Sequence, residues 1–399
     1  MTGEPLVFVG RTNWRDRNKP FGLRPADRRA HMYVIGKTGV GKSSLLEVMI
    51  RQDILAGNGL AVFDPHGDLV ERLHAWIPEE KRSDVIYLDV PDPEQPFGFN
   101  PLEGVPPLRR TLAANGIVEA LKKLFDDAWG VRLEYILRSA LLLLLEQPEA
   151  SLADVLRLFH DKEFRHAAAE RVTNEHVKYF WTVEFEKYGK RRAEVVAPIE
   201  NKLGSFLVDP FVSRILIARK STFNPREAID SGKVLLVNLA KGKIGEAPAM
   251  LFGGLLVTML GLAGLARADS PQQERRDFFL YLDEFQTFTT LALVEMLAEL
   301  RKYGVGLVLA NQFVDQIDRD VMSAILGNIG TLVVFRVGAS DAERLVKELV
   351  PNLEPYDLTL LPNRTFWIRP LVNGQSVEAF TGETLTLRPG GERSQASHR

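Results

Sequence analysis

"HMYVIGKTGVGKSSLL", residues 31–46, decides the fold. A short apolar run leads into "GKTGVGKS", Gly36 to Ser43, which fits the spacing G-x-x-x-x-G-K-[ST]. A helical pattern, "SSLLEVMIRQDIL", follows at once. Strand, glycine-rich turn and helix in that order are the setting in which this motif cradles phosphate. Gly36, Gly39 and Gly41 let the backbone curl until its N–H groups face phosphate oxygens. The helix start adds positive partial charge. Lys42 is placed to reach the β- and γ-phosphates, and the Ser43 hydroxyl to ligate Mg²⁺. Gly36, Lys37, Thr38, Gly39, Val40, Gly41, Lys42, Ser43 and Ser44 form the expected binding segment for ATP with Mg²⁺. The motif says nothing of what the energy drives.

The motif's second half lies far downstream. "DFFLYLDEFQTF" is an apolar strand ending in Asp283 and Glu284. An Asp at the end of a strand beside the phosphate loop can hold Mg²⁺ through water, and the adjacent Glu can polarise the attacking water. The alternative is an acid pair capping the next helix. A water-activating Glu distinguishes a hydrolysing motor from a small-molecule kinase, which needs none.

Further apolar runs recur at 59–64, 84–89, 233–239, 304–310 and 331–337. They are continuous rather than alternating, the mark of strands buried on both faces of a parallel sheet. Helical patterns between them predict an α/β fold with a mostly parallel sheet. From Val105 to Lys220 the texture changes to helical spacing alone, as in "RRTLAANGIVEALKKLF", "VRLEYILRSALLLLLE" and "SLADVLRLFHDKEF". This predicts an all-α insertion over 105–220. The sheet domain then spans 31–104 and 221–387, preceded by a strand extension over 1–30 and followed by a disordered tail over 388–399.

Composition bounds the remainder. The chain has 399 residues, 45% hydrophobic and 26% charged, with net charge −2. That balance is ordinary for a globular protein of about two or three domains, and bulk charge gives no signature for nucleic acid. No cysteine is present, which excludes disulfides, thiolate zinc sites and cysteine nucleophiles and fits a reducing cytoplasm. The N-terminal stretch is expected to carry no signal peptide, because its apolar run is short and charges follow. "APAMLFGGLLVTMLGLAGLA", 247–266, is uncharged and long enough to span a bilayer. Its glycines and its place between two core strands favour a buried helix. "VFDPHGDL", 62–69, ends a strand expected beside the phosphate loop; its Asp64, His66 and Asp68 suit a turn better than a metal site, and the alternative is a role near the nucleotide or the subunit edge. Lys187, Lys190, Arg191 and Arg192 offer either a solvated helix face or contact with a phosphate backbone.

Taken in order, "HMYVIGKTGVGKSSLL", "GLAVFDPHGDLVE", "GFNPLEG", "FFLYLDEFQTF", "ELRKYGVGLVLANQ" and "ILGNIGTLVVFRVGASDAE" resemble the HerA/FtsK superfamily of hexameric DNA-pumping ATPases. The conjugative, type IV secretion coupling-protein branch is the nearest in pattern. The resemblance covers about residues 6–385. It implies a RecA-like P-loop core, DNA as partner, a homohexamer and ATP hydrolysis. It implies that Arg301, at the entrance of the strand after the acid pair, reaches a neighbour's nucleotide, and that Gln312, at that strand's end, senses the γ-phosphate. The alternative for Arg301 is a surface ion pair with Glu299 or Glu295. Arg336 is a second candidate for intersubunit phosphate contact. Membrane-anchored coupling proteins carry transmembrane helices ahead of the motor, and this sequence shows none there. The expectation is a cytoplasmic relative, membrane-associated only through a separate membrane or secretion-system partner. A protein-translocating ATPase of the same fold and a nucleotide-gated scaffold are the competing expectations. Lys42, Asp283, Glu284, Arg301 and Gln312 together speak against the scaffold, which needs neither base nor finger.

Overall fold

The structure is a computed structural model that describes residues 6–13, 18–95, 97–125, 129–289, 292–349 and 353–386. The expected tail, 388–399, lies outside the described residues. Seven parallel strands form one side of an eleven-stranded sheet, out to one of its edges. In chain order the strands are β1 (Val7–Thr12), β2 (Pro20–Leu23), β3 (Met32–Ile35), β4 (Gly59–Asp64), β5 (Val85–Asp89), β6 (Val234–Asn238) and β7 (Phe278–Leu282). They continue with β8 (Val305–Asn311), β9 (Thr331–Val334), β10 (Thr365–Arg369), the small hairpin β11 (Leu371–Val372) and β12 (Gln375–Ser376), and β13 (Phe380–Thr384). The spatial order is β2-β1-β13-β10-β9-β3-β8-β7-β4-β6-β5.

All seven apolar runs singled out in the sequence are strands of the parallel part. β3, β4, β6, β7, β8 and β9 are buried along their whole length, as continuous apolar runs require. Two hydrophobic clusters lie on opposite faces of the sheet. One expectation needs correction. β4, which ends at Asp64, does not lie beside the phosphate loop: β8 and β7 stand between it and β3. Asp64 instead accepts hydrogen bonds from the backbone N–H groups of His66, Leu69 and Val70, so it shapes the turn into the next helix. Among the described residues no acidic and histidine cluster could hold a metal ion.

On the chain's first half, α1 (Pro25–Arg28), α2 (Lys42–Ala56) and α3 (Asp68–Trp76) flank the strands. Between residues 105 and 220 every described regular element is helical: α4 (Arg110–Leu124), α5 (Val131–Leu144), α6 (Asp154–His160), α7 (Lys162–Arg171), α8 (Glu175–Tyr179), α9 (Phe185–Lys187), α10 (Arg192–Leu207) and α11 (Pro210–Leu216). "SLADVLRLFHDKEF" is two helices rather than one. Asp161 breaks it and caps α7 by accepting from the Phe164 N–H. Arg192 pairs with Glu186 and Arg191 with Glu194, while Lys187 and Lys190 are exposed.

The remaining helices are α12 (Pro225–Asp230), α13 (Lys241–Ile244), α14 (Glu246–Ala266), α15 (Ala292–Glu299), α16 (Arg319–Asn328), α17 (Ala339–Leu349) and α18 (Pro355–Thr359). α14 contains the apolar run, and 89% of its most apolar window is buried inside the protein. Its glycines have packing work. A Cβ on Gly253 would sit 2.1 Å from the Phe288 ring, one on Gly261 2.6 Å from Met296 sulfur, and one on Gly264 2.8 Å from Leu300. Close approach of neighbours on these sides explains helix-weakening residues in a core helix.

At the sheet edge where parallel strands begin, His31 is buried and adopts a left-handed φ of 64°. Its Nδ1 accepts from the Leu307 N–H on β8, and its Nε2 donates to the Leu297 carbonyl of α15. Burial and nearby Arg301 push the imidazolium down to about 4, against the pull of the Leu297 carbonyl. The unfolded chain therefore binds a proton between about pH 6.5 and pH 4 that the folded chain refuses, so His31 lowers stability as pH falls through that window. A His31→Asn variant is expected to show a shallower loss of unfolding free energy from pH 7 to 4 than the parent, by up to about 3 kcal/mol. Denaturant titration at each pH reads the difference.

Candidate active site

The parallel strands all end at one edge, and the functional side chains gather there. β3 ends at Ile35, and Gly36 to Gly41 turn the chain into α2. Gly39 and Gly41 take φ of 76° and 119°, outside the range of ordinary side chains. A Cβ on Gly36 would strike the Phe335 Cβ at 2.5 Å. α2 has no side-chain cap at Gly41, which leaves the N–H groups of its first turn to an anion. Lys42 folds over the loop and donates to the carbonyls of Gly36 (2.6 Å) and Lys37 (3.3 Å). Burial lowers its ammonium below the ordinary lysine range, against the pull of Glu284 and Asp283.

β7 delivers the acid pair. Asp283 is buried, and its Oδ2 lies 3.4 Å from the donating Ser43 hydroxyl. Burial, then Asp64 and Glu284, push its carboxyl up to about 7, against Lys42. Carboxyl and hydroxyl together make an oxygen donor set for a divalent cation, whose charge would return the carboxyl to carboxylate. The glycine loop, the uncapped helix start, Lys42, Ser43 and Asp283 thus fit a nucleoside triphosphate with Mg²⁺. Such a group supplies a phosphorus centre with oxygens to be stabilised in displacement.

Glu284 does not cap a helix through its side chain; it sits at φ 47°, left-handed and strained by roughly 1–2 kcal/mol. Its two carboxylate oxygens accept from two amides, Gln312 Nε2 at 3.0 Å and Gln286 Nε2 at 2.8 Å. Gln312 Oε1 in turn accepts from the Thr38 hydroxyl at 2.9 Å. Thr38 in the loop, Gln312 at the end of β8 and Glu284 after β7 are therefore one continuous chain of hydrogen bonds. Buried Asn311 steadies that end of β8: Tyr33 donates to its carbonyl oxygen, and its Nδ2 donates to the Phe313 carbonyl. The sequence offered no sign of Gln286, since a lone Gln in "DEFQTF" differs from any surface amide only once the loop is folded.

Arg301 stands elsewhere. It is exposed in the turn before β8, at the opposite edge of the sheet from Gln312. The seven-residue strand between them spans about 20 Å, too far for Arg301 to touch the phosphate loop of its own chain. It makes no ion pair among the described residues. Glu299 is taken by Lys302 at 2.9 Å instead. Arg336 lies beside the loop, where its backbone carbonyl accepts from the Lys37 N–H. Its guanidinium is bound within its own chain, to the Leu361 carbonyl and Asn363 Oδ1.

A family model described as "Type IV secretion-system coupling protein DNA-binding domain" matches residues 21–352. Among solved structures, the unbound form of the bacterial conjugative coupling protein TrwBΔN70 superposes with a TM-score of 0.65 at 17% identity, covering 97% of this chain and 89% of that one. The plasmid coupling protein TrwB in complex with ADP and Mg²⁺ gives a TM-score of 0.63 at 16% identity, covering 98% of each. VirB4 of Thermoanaerobacter pseudethanolicus gives 0.65 at 12% identity, covering 97% of this chain and 98% of that one. At these identities the likeness shows a shared fold. Among curated proteins no sequence match was found.

The hydrogen-bond chain predicts a separation of binding from turnover. Gln312→Ala is expected to lower kcat for ATP hydrolysis on the order of tenfold or more while leaving ATP affinity nearly unchanged. Steady-state turnover beside fluorescent-nucleotide titration checks both halves.

Proposed function

The chain belongs to the type IV secretion-system coupling protein DNA-binding domain family, and from that premise we propose that it is an ATP-hydrolysing motor that moves DNA through a ring of six copies. The observation that carries this reading is the hydrogen-bond chain Thr38–Gln312–Glu284, which ties a phosphate loop to a carboxylate held for water activation. A scaffold that only binds nucleotide needs no such carboxylate.

The roles follow from position. Backbone N–H groups from Thr38 to Ser44 and the Lys42 ammonium bind the phosphates. Ser43 and Asp283 hold Mg²⁺. Glu284 accepts a proton from water as it attacks, with Gln286 and Gln312 fixing the direction of its two oxygens. Gln312, touching Thr38, registers whether the γ-phosphate is present. Arg301, too far from its own loop, serves the loop of the next subunit, where its charge stabilises the transferred phosphoryl group. Arg336 serves as a second cation at that boundary.

Residues 31–104 and 221–387 form the motor domain, 105–220 the helical insertion that sets partner choice, and 1–30 a strand extension on the sheet's antiparallel edge. The ring works in the cytoplasm and meets the membrane through a separate partner of the secretion system. The family description, which names a DNA-binding domain, supports DNA as the cargo.

Hydrolysis is expected to rise with added DNA and with assembly. DNA affinity is expected to fall steeply with salt, as release of counterions from the phosphate backbone requires. Glu284→Gln should bind ATP and turn it over at least about a hundredfold more slowly. A chain that binds no DNA even at low salt would point to protein as cargo. A Glu284→Gln chain that hydrolyses normally would overturn the role of Glu284.

A further inference from the structure

We propose that Lys123 is the positioning residue for Glu284: its ammonium, carried on α4 of the helical insertion, holds the loop that places the water-activating carboxylate. The inference rests on the reading of Glu284 given above and concerns a residue that takes no part in nucleotide binding.

Lys123 lies at the C-terminal end of α4, 163 to 166 residues before the carbonyls it touches in the loop. Its Nζ donates to three backbone carbonyls there, Gln286 at 2.5 Å, Thr289 at 2.9 Å and Thr287 at 3.3 Å. Gln286 and Thr287 belong to the short 3₁₀ turn Phe285–Thr287, which begins directly after Glu284, and Thr289 lies two residues past it. Carbonyls at the end of a helical turn lack partners within the turn and carry negative partial charge, so a cation fits them. Gln286, the anchor of one Glu284 oxygen, is also the residue whose carbonyl Lys123 grips.

Three features argue that the clamp has a task beyond packing. Lys123 makes no ion pair among the described residues, and burial alone pushes its ammonium down to about 8. A charged lysine buried against carbonyls, with no carboxylate partner among the described residues, is costly, and a solvated lysine would be easier to accommodate. Glu284 is held in a left-handed conformation that relaxes unless the loop on either side is fixed. Phe285 is buried edge-on to Tyr33, Phe288 fills the notch that Gly253 leaves in α14, and the Thr289 hydroxyl donates to the Phe285 carbonyl. Lys123 adds a polar fixing that comes from the insertion.

Its helix also packs along α14, where Gly116 admits Thr258 in close contact. A shift of α4 is therefore felt at the loop by two routes, through α14 and Phe288, and through the ammonium. A load on the insertion, such as DNA bound by it, changes how Glu284 is aimed and so the rate of hydrolysis.

The test uses the full chain, assembled, with ATP and with or without DNA. Lys123→Met is expected to lower kcat about tenfold to a hundredfold, with ATP affinity unchanged and the response to DNA blunted. Lys123→Arg, which keeps charge and donors, should recover most of the lost kcat. If Lys123→Met does not fold, Lys123→Gln against Lys123→Arg carries the comparison, with Arg expected well above Gln. Parent-like kcat in Lys123→Met overturns the inference. So does equal loss in the Arg and Gln variants together with lowered melting temperature, which marks a purely structural lysine. Glu284→Gln, measured in parallel, separates the two ideas: normal hydrolysis there removes the premise, whereas an inactive Glu284→Gln beside a parent-like Lys123→Met removes only the role of Lys123.

Discussion

One constraint organises the site: β8 lies between β3 and β7, parallel to both. Parallel neighbours end at the same edge, so the phosphate loop, the acid pair and Gln312 arrive together from positions as distant as 36 and 312 in the chain. The intervening strand leaves a gap between loop and acid pair, and Gln312 closes that gap with hydrogen bonds to Thr38 on one side and Glu284 on the other. Direct adjacency of β3 and β7 would leave no place for a sensor amide. The same geometry sends the beginning of β8 to the far edge, which is why Arg301 cannot serve its own nucleotide.

Keeping this edge in order is expensive locally. Asp283 is desolvated among other acids, and Glu284 sits in a strained backbone conformation. The compensation lies in the packed layers on each side. The buried strands and the glycine-notched α14 fix Phe285 and Phe288, which anchor in the core the turn that follows the acid pair. Elsewhere in the opposite layer Arg28 donates both guanidinium arms to Asp53, and Tyr281 on β7 donates to the same carboxylate. That buried trio joins α1, the phosphate-loop helix and the acid strand. His31 adds a link from the start of β3 to β8 and α15, the helix that leads to Arg301. Polar links thus tie together the elements that must not slide, while apolar packing supplies the bulk of the burial.

Much of this was legible in the chain. The phosphate loop could be read because spacing and flanking elements agree, and the seven parallel strands because strands covered on both faces leave continuous apolar runs. The buried character of 247–266 could be read from its glycines. The antiparallel edge was legible only as far as the strand extension over 1–30, where β1 and β2 lie. β10 and β13 are five residues each, partly exposed, and lack the continuous apolar signal. Strand order was not legible either, so Asp64 was expected beside the loop rather than beyond β7. The contributions of Gln286, Lys123 and His31 depend on backbone carbonyls and N–H groups remote in sequence. No pattern in the chain marks a backbone group as a partner, and such residues become visible only in the fold.

On the proposed function each catalytic site is completed by the next subunit, with β8 the rigid element joining Gln312 at a chain's own site to Arg301 at its neighbour's. Mixing subunits tests it most directly. Arg301→Ala chains and Lys42→Ala chains are each expected to be inactive alone, the first lacking the finger and the second the phosphate lysine. Combined in one assembly, an Arg301→Ala chain keeps an intact phosphate loop and receives Arg301 from a Lys42→Ala neighbour, so mixtures should regain ATP turnover, most strongly near equal proportions. Mixtures that stay inactive at every ratio, although both chains co-assemble, would contradict it.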